Sequence, residues 1–177
     1  LGGPISDRDL RPQASRPSPA DYFMAAERGS GLLPFSHATE QLERARNYWL
    51  ATAGLDGRPH CMPVWGIWID DRFVFSTGPT TKKARNLAEN PDAVLHLESG
   101  AQVVVLECRG REVTEPDALE AFRIAYNAKY NWDFTPGQLS AGGVYELRPT
   151  KAFAWCGDHD EEFSGTATRW TFAEPGE

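Results

Sequence analysis

Between Tyr48 and Val113 the chain reverses direction every few residues, and tight-turn residues stand at the reversals. Tyr48–Ala53 reads as a strand, and Asp56-Gly57 follows as a hairpin turn. His60–Ile69 reads as a second strand and Asp70-Asp71 as a turn into Phe73–Ser76. Ala93–Glu98 and Gln102–Val113, joined through Ser99-Gly100, read as a further hairpin. Strands this short and this closely linked pair antiparallel, and such a set closes into a β-barrel more readily than it builds parallel βαβ units. No Gly-x-Gly-x-x-Gly segment opens a helix, which argues against a Rossmann dinucleotide fold. The fold class expected is mainly β with helical additions.

Two substantial helices are expected. Leu119, Phe122, Tyr126 and Tyr130 recur at spacings of three and four, which predicts an amphipathic helix over 116–130. The other helix follows Phe73–Ser76, through Thr77-Gly78-Pro79-Thr80-Thr81, and ends near Asn90-Pro91. A short helix around Thr39–Arg46 leads into the first strand. Residues 133–142 read as a loop, Val144–Trp155 as a strand broken near Pro149, and Thr168–Phe172 as a short final strand after a second polar loop. Residues 1–36, with Pro4, Pro12, Pro17, Pro19 and Pro34, read as an N-terminal arm without a packed element. The remainder, 37–177, reads as one domain.

The helix after Gly78-Pro79 begins with Lys82, Lys83 and Arg85 and no carboxylate. A helix N-terminus already carries free N–H groups and the positive end of the macrodipole, so each cation there costs roughly 0.3–1 kcal/mol. An anion placed among these groups reverses that cost, and hydroxyls, free N–H groups and cations together make a phosphate site. A solvated surface pair of lysines behind a threonine N-cap is the plainer alternative.

The formal charge of −7 argues against general nucleic-acid binding and makes the local cation cluster stand out. Cys61, Cys108 and Cys156 are scattered, and neither they nor the four histidines have metal-ligand spacing. No apolar run approaches the ~18 residues of a membrane span, and no signal peptide is visible, so no membrane is expected and the expected location is cytoplasmic.

Several segments in order resemble a known superfamily. They are Trp49-Leu50-Ala51-Thr52, Gly57-Arg58-Pro59-His60, Val64-Trp65-Gly66-Ile67-Trp68, Phe75-Ser76-Thr77-Gly78, Lys83-Ala84-Arg85-Asn86-Leu87, Asn90-Pro91, His96-Leu97-Glu98-Ser99-Gly100 and Gly165-Thr166-Ala167-Thr168-Arg169-Trp170. Together they resemble the pyridoxamine 5'-phosphate oxidase-like superfamily of flavin- and deazaflavin-binding proteins. The resemblance implies a split β-barrel of antiparallel strands with flanking helices, assembled as a homodimer with cofactor sites at the subunit interface. It implies that Ser76, Thr77, Thr81, Lys82 and Lys83 hold the cofactor phosphate. Met62, Pro63, Val64 and Trp65 correspond to the strand whose backbone borders the tricyclic ring. The resemblance further implies that Gln102 approaches that ring and that Trp155 and Arg169 reach it from the other subunit.

Two departures from the oxidases of that superfamily shape the expected function. Their phosphate-binding Arg and Lys on the strand after the first hairpin fall here at Cys61 and Gly66, and the Arg and His that hold their substrate fall at Gly165 and Ala167. Oxidation of a B6 phosphate is therefore not expected. The signatures are closer to the branch that uses coenzyme F420, with Gly66 leaving room beside the ring. The expected activity is hydride transfer between bound deazaflavin and a small organic acceptor. The alternatives are an FMN flavoprotein of the oxidase type, or a non-catalytic flavin, deazaflavin or haem binder, the last needing His60 or His159 as axial ligand. No acid–base residue or metal ligand stands out. Tyr126, Tyr130 and Trp132 read first as packing residues of the 116–130 helix and second as a substrate wall.

Overall fold

A computed structural model of the protein describes residues 12–17, 31–157 and 160–173. Among the described residues, nine strands and five helices follow one another as β1 (Gln13–Ser15), α1 (Phe35–Arg44), β2 (Tyr48–Ala53), β3 (Pro59–Val64), β4 (Gly66–Ile69), β5 (Arg72–Thr77), α2 (Lys82–Glu89), β6 (Asp92–His96), β7 (Gln102–Glu112), α3 (Pro116–Tyr130), α4 (Pro136–Ala141), β8 (Gly143–Cys156), α5 (Asp160–Thr166) and β9 (Thr168–Thr171). All the pairings are antiparallel.

The sheet closes because one strand changes partners. β3 pairs with β2 as far as Tyr48↔Val64; after Trp65 the same run continues as β4 and pairs with β5, beginning at Gly66↔Phe75. From β2 the sheet passes through β6, β7 and β8 and returns through β5 to β4. The expected single strand His60–Ile69 is thus two strands on either side of a kink at Trp65, and that kink joins the two ends of a barrel.

Alternation along the strands fills the interior. Tyr48, Leu50, Phe73, Phe75, Leu95, Leu106 and Leu147 form the core, plugged by Ala38 and Leu42 of α1 and by Ala84 and Leu87 of α2. A second cluster lies outside the barrel, where Phe122, Tyr126 and Tyr130 of α3 cover Ile67, Val74, Val113 and Val144. The periodic face read from 116–130 is therefore the face that docks this helix.

Four expectations need correction. Gln13–Ser15, inside the Pro-rich arm, pairs with β9 at Gln13↔Thr171, and Arg16 beside it is buried and donates to the Ala167 carbonyl at 2.9 Å. Residues 1–11 and 18–30 of that arm lie outside the described residues, as does His159. The ordered fold resumes by α1 at Phe35 rather than at 37. The 133–142 loop contains α4, nucleated by a capping box in which Thr135 and Gln138 satisfy each other's backbone N–H groups. Finally, β8 is not broken at Pro149: the register shifts between Glu107 and Cys108, leaving Thr150 as a bulge beside the proline, and the strand continues with Pro149 opposite Cys108. Among the described residues, no helix is long and apolar enough to cross a membrane.

Candidate functional site

The kink at Trp65 is held from below. The Tyr130 hydroxyl accepts from the Gly66 N–H at 3.0 Å and lies 2.8 Å from the Gly66 carbonyl and 2.9 Å from that of Arg46. Lys129 donates to the Tyr48 hydroxyl at 2.7 Å and to the Gly66 carbonyl at 3.3 Å, and Tyr48 passes its own proton to the Leu42 carbonyl. These bonds satisfy backbone groups that a strand loses when it changes partners. Burial, reinforced by the nearby Arg46 charge, pushes the Lys129 ammonium down to about 8; burial pushes the Tyr126 phenol up to about 12 and raises Tyr48 and Tyr130 as well.

Above the kink the surface is aromatic. Trp65 stacks on Tyr130 at 5.0 Å with 3° between the rings, and Trp132 meets Trp65 edge-on at 6.3 Å. Trp65, Trp132 and Met62 remain 45, 53 and 44 % exposed. Pro63 is exposed too, whereas Val64 points into the core, so of the four ring-bordering candidates it offers only its backbone.

Beyond the Gly66↔Phe75 pair, β5 runs on through Ser76 and Thr77 toward the cation cluster. Thr81 caps α2, accepting from the Ala84 N–H, and its hydroxyl lies 3.1 Å from that of Thr77. Ser76 donates to the Gly143 carbonyl at 3.2 Å. Arg85 turns back to the Thr80 carbonyl at 2.6 Å, but among the described residues no carboxylate pairs with Lys82 or Lys83. The arrangement offers an anion hydroxyls, the free N–H groups of a helix start and two ammonium groups.

On the other side of Trp65, its indole N–H donates to Asn47 at 3.1 Å. Asn47 and Gln102 line a common cavity of about 290 Å³, so Gln102 opens on the same end of the barrel as Trp65. Trp155 sits on β8 opposite Val103, one step from Gln102, and packs edge-on against Phe163 at 5.5 Å; Arg169 sits on β9 opposite Phe153 and donates to Ser15 at 3.2 Å. Within one chain the β4–β5 pairing links 62–65 to 76–83, Gln102 shares a cavity with Asn47 and adjoins Trp155, and Arg169 lies apart on β9.

Gly66 has another role than the expected one. A Cβ there would lie 2.3 Å from the Phe73 ring and 2.6 Å from the Val74 carbonyl, so the missing side chain faces the interior and leaves no room beside a ring. Sequence reasoning also passed over Lys129, Arg46 and Asn47, which carry no local signal and matter only because the kink lies beside them. His60, half-buried on β3, sits opposite Thr52, and His96 bonds the Leu97 carbonyl at 2.8 Å; both read as structural.

Known proteins fit this geometry. The family model for pyridoxamine 5'-phosphate oxidase matches residues 35–156, more than half of the chain. A pyridoxine/pyridoxamine 5'-phosphate oxidase from Acidothermus cellulolyticus is 34 % identical over 128 residues, covering 71 % of this chain, which spans about half (52 %) of that relative's length. Among solved structures, a conserved hypothetical protein from Mycobacterium tuberculosis superposes with a TM-score of 0.64 at 22 % identity, over 75 % of this chain and 90 % of the other. A protein described as an F420 reductase superposes with a TM-score of 0.53 at 24 % identity, over 64 % of this chain and 93 % of its own. These likenesses extend the split-barrel fold to both structures, and the family match is decisive for the chain: it belongs to the pyridoxamine 5'-phosphate oxidase family.

Proposed function

We propose that the protein is an oxidoreductase that works with a tricyclic ribityl-phosphate cofactor, coenzyme F420 in the first reading and FMN in the second. The observation that carries the proposal is the cation and hydroxyl cluster at the start of α2, with no carboxylate paired to its lysines among the described residues, near the kinked aromatic strand. When bound, the cofactor supplies hydride transfer with a small organic acceptor. The chain supplies grip, position and exclusion of water. Thr77, Thr81, Lys82 and Lys83 hold the phosphate, Ser76 fixes the approach of β8, and Met62–Trp65 with Gln102 border the ring. Tyr130 and Lys129 keep Trp65 in place and do not touch the reacting atoms.

The preference for F420 rests on the positions where oxidases of this family carry two further phosphate-binding cations. Cys61 is exposed and uncharged, and Gly66 is enclosed where no side chain fits. Ala167, at one of the two substrate-holding positions, is fully buried, and Gly165 has no side chain, which disfavours a B6 phosphate as substrate. The Acidothermus relative favours the FMN reading. Half-exposed Trp49, Val94, His96, Val105 and Phe153 share the outer face of β2, β6, β7 and β8, and support a homodimer that brings a second copy's Trp155 and Arg169 to the site.

Fluorescence titration of the purified protein with F420 and with FMN tests the cofactor. Tighter F420 binding supports the first reading, tighter FMN binding the second, and binding of neither defeats both. Light scattering tests the dimer, which a monomeric mass at micromolar concentration overturns.

A further inference from the structure

We propose a second anion site, separate from the cofactor region, on the outer face of β7 and β8, for a small organic carboxylate or phosphate monoester with an apolar body. A cavity of about 410 Å³ opens there, lined by Arg109, Arg111, Arg148 and Glu146, with Pro149 and Phe172 as apolar wall. Its volume falls within the range of small-molecule sites, and it shares no residue with the cluster around Trp65 and α2.

The site is organised by a buried carboxylate. Glu146 is 1 % exposed and takes three guanidinium groups through their Nε atoms: Arg111 at 2.7 Å, Arg148 at 2.8 Å and Arg72 at 3.1 Å. Its negative charge is thereby surrounded, and the arginines are oriented before any ligand arrives. A guanidinium held by Nε keeps its terminal fork free for bidentate recognition of carboxylate or phosphate. Arg72 also meets Asp70 at 3.5 Å, and Arg111 meets Glu115 at 2.9 Å. For Arg148, Glu146 is the one ionic partner among the described residues. Arg109 touches Asp92 at 3.8 Å, both groups largely exposed, a contact that a ligand displaces at little cost. Pre-orientation lowers the entropic cost of binding, and the Pro149–Phe172 wall favours an anion with an apolar body over free phosphate. The net charge of −7 argues against a general attraction for anions, so binding here is local.

Calorimetric titration with phenyl phosphate and with benzoate tests the site and distinguishes the two anion classes. The full chain is compared with Arg109→Gln/Arg148→Gln and with Lys82→Ala/Lys83→Ala. The site predicts saturable binding of at least one probe, weakened tenfold or more in the arginine variant and kept in the lysine variant, while cofactor titration shows the reverse pattern. Binding of neither probe, or unchanged binding in the arginine variant, overturns it. Should that variant melt early, Nε–Hε NMR signals of the unmodified protein decide: shifts at Arg148 on adding the probe support the site, and their absence overturns it.

Discussion

The molecule gathers cations in two places and treats them differently. At the start of α2, Lys82 and Lys83 stand on backbone geometry alone, with no carboxylate beside them among the described residues. On the outer face of β8, Arg72, Arg111 and Arg148 converge on one buried glutamate. Removing the internal counter-charge is costly only where one exists. The first cluster thus has no ionic partner among the described residues, and the second is first a part of the fold, with Arg111 and Arg148 lining a cavity.

Glu146→Ala is the severest test of that contrast. It strands three guanidinium groups and should cost about 3 kcal/mol in urea unfolding, the low end for a broken buried pair because the arginines are partly wet. A loss below about 1 kcal/mol would mean that the cluster is not held from within. Lys82→Ala/Lys83→Ala should change stability by no more than about 0.5 kcal/mol. The same variant should weaken binding of the preferred cofactor at least tenfold, about 1.4 kcal/mol, in fluorescence titration, and added salt should erode the difference. Undiminished affinity would return the two lysines to plain surface. Thr81→Ala sits between the regimes: loss of the α2 cap should cost roughly 0.5–1 kcal/mol in thermal unfolding and also reduce cofactor affinity.

A third cation sharpens the contrast through pH. Lys129 is half-buried and forms no ion pair among the described residues; burial and the Arg46 charge outweigh the opposing Glu43 carboxylate, and its folded value near 8 lies below the usual 10.5. Between these values the unfolded chain binds more protons than the folded one, so this group's contribution to stability rises with pH. The rise starts near pH 8 and is opposed above about pH 10 by the tyrosines, whose folded values lie above the usual 10. Lys129→Met should flatten the slope between pH 8 and 10 in denaturant titrations at several pH values. An unchanged slope would show that the ammonium is as well hydrated as any on the surface.

What could be read from the sequence was what neighbouring residues decide. Asp70 and Asp71, both at positive φ (48° and 55°), make the turn that their residue types announced. The α3 stripe and the cation-rich start of α2 were legible for the same reason. The pairing of Gln13–Ser15 with Thr171 was hidden because its partner lies at the other end of the chain, and no local pattern marks a three-residue strand. Pro149 looked like a break because the strand continues past it only through a bulge at Thr150, whose pairing is set by β7 on the other side of the register. At the candidate site, the residues proposed to bind through a local motif were visible, while Asn47 and Lys129 became relevant only through the kink between β3 and β4. Gly66 was read for the wrong face, since nothing in its neighbours tells which way a missing side chain points.

The place of β8 in the chain has a consequence for how the protein is made. It bonds to β5, β7 and β9, yet runs only from Gly143 to Cys156, after most of the barrel has left the ribosome. Until then β5 and β7 each present a row of unpaired N–H and C=O groups, the kind of edge on which chains aggregate. Barrel closure is therefore a late, long-range event, and fragments ending before Gly143 should collect in inclusion bodies while the full chain stays in solution.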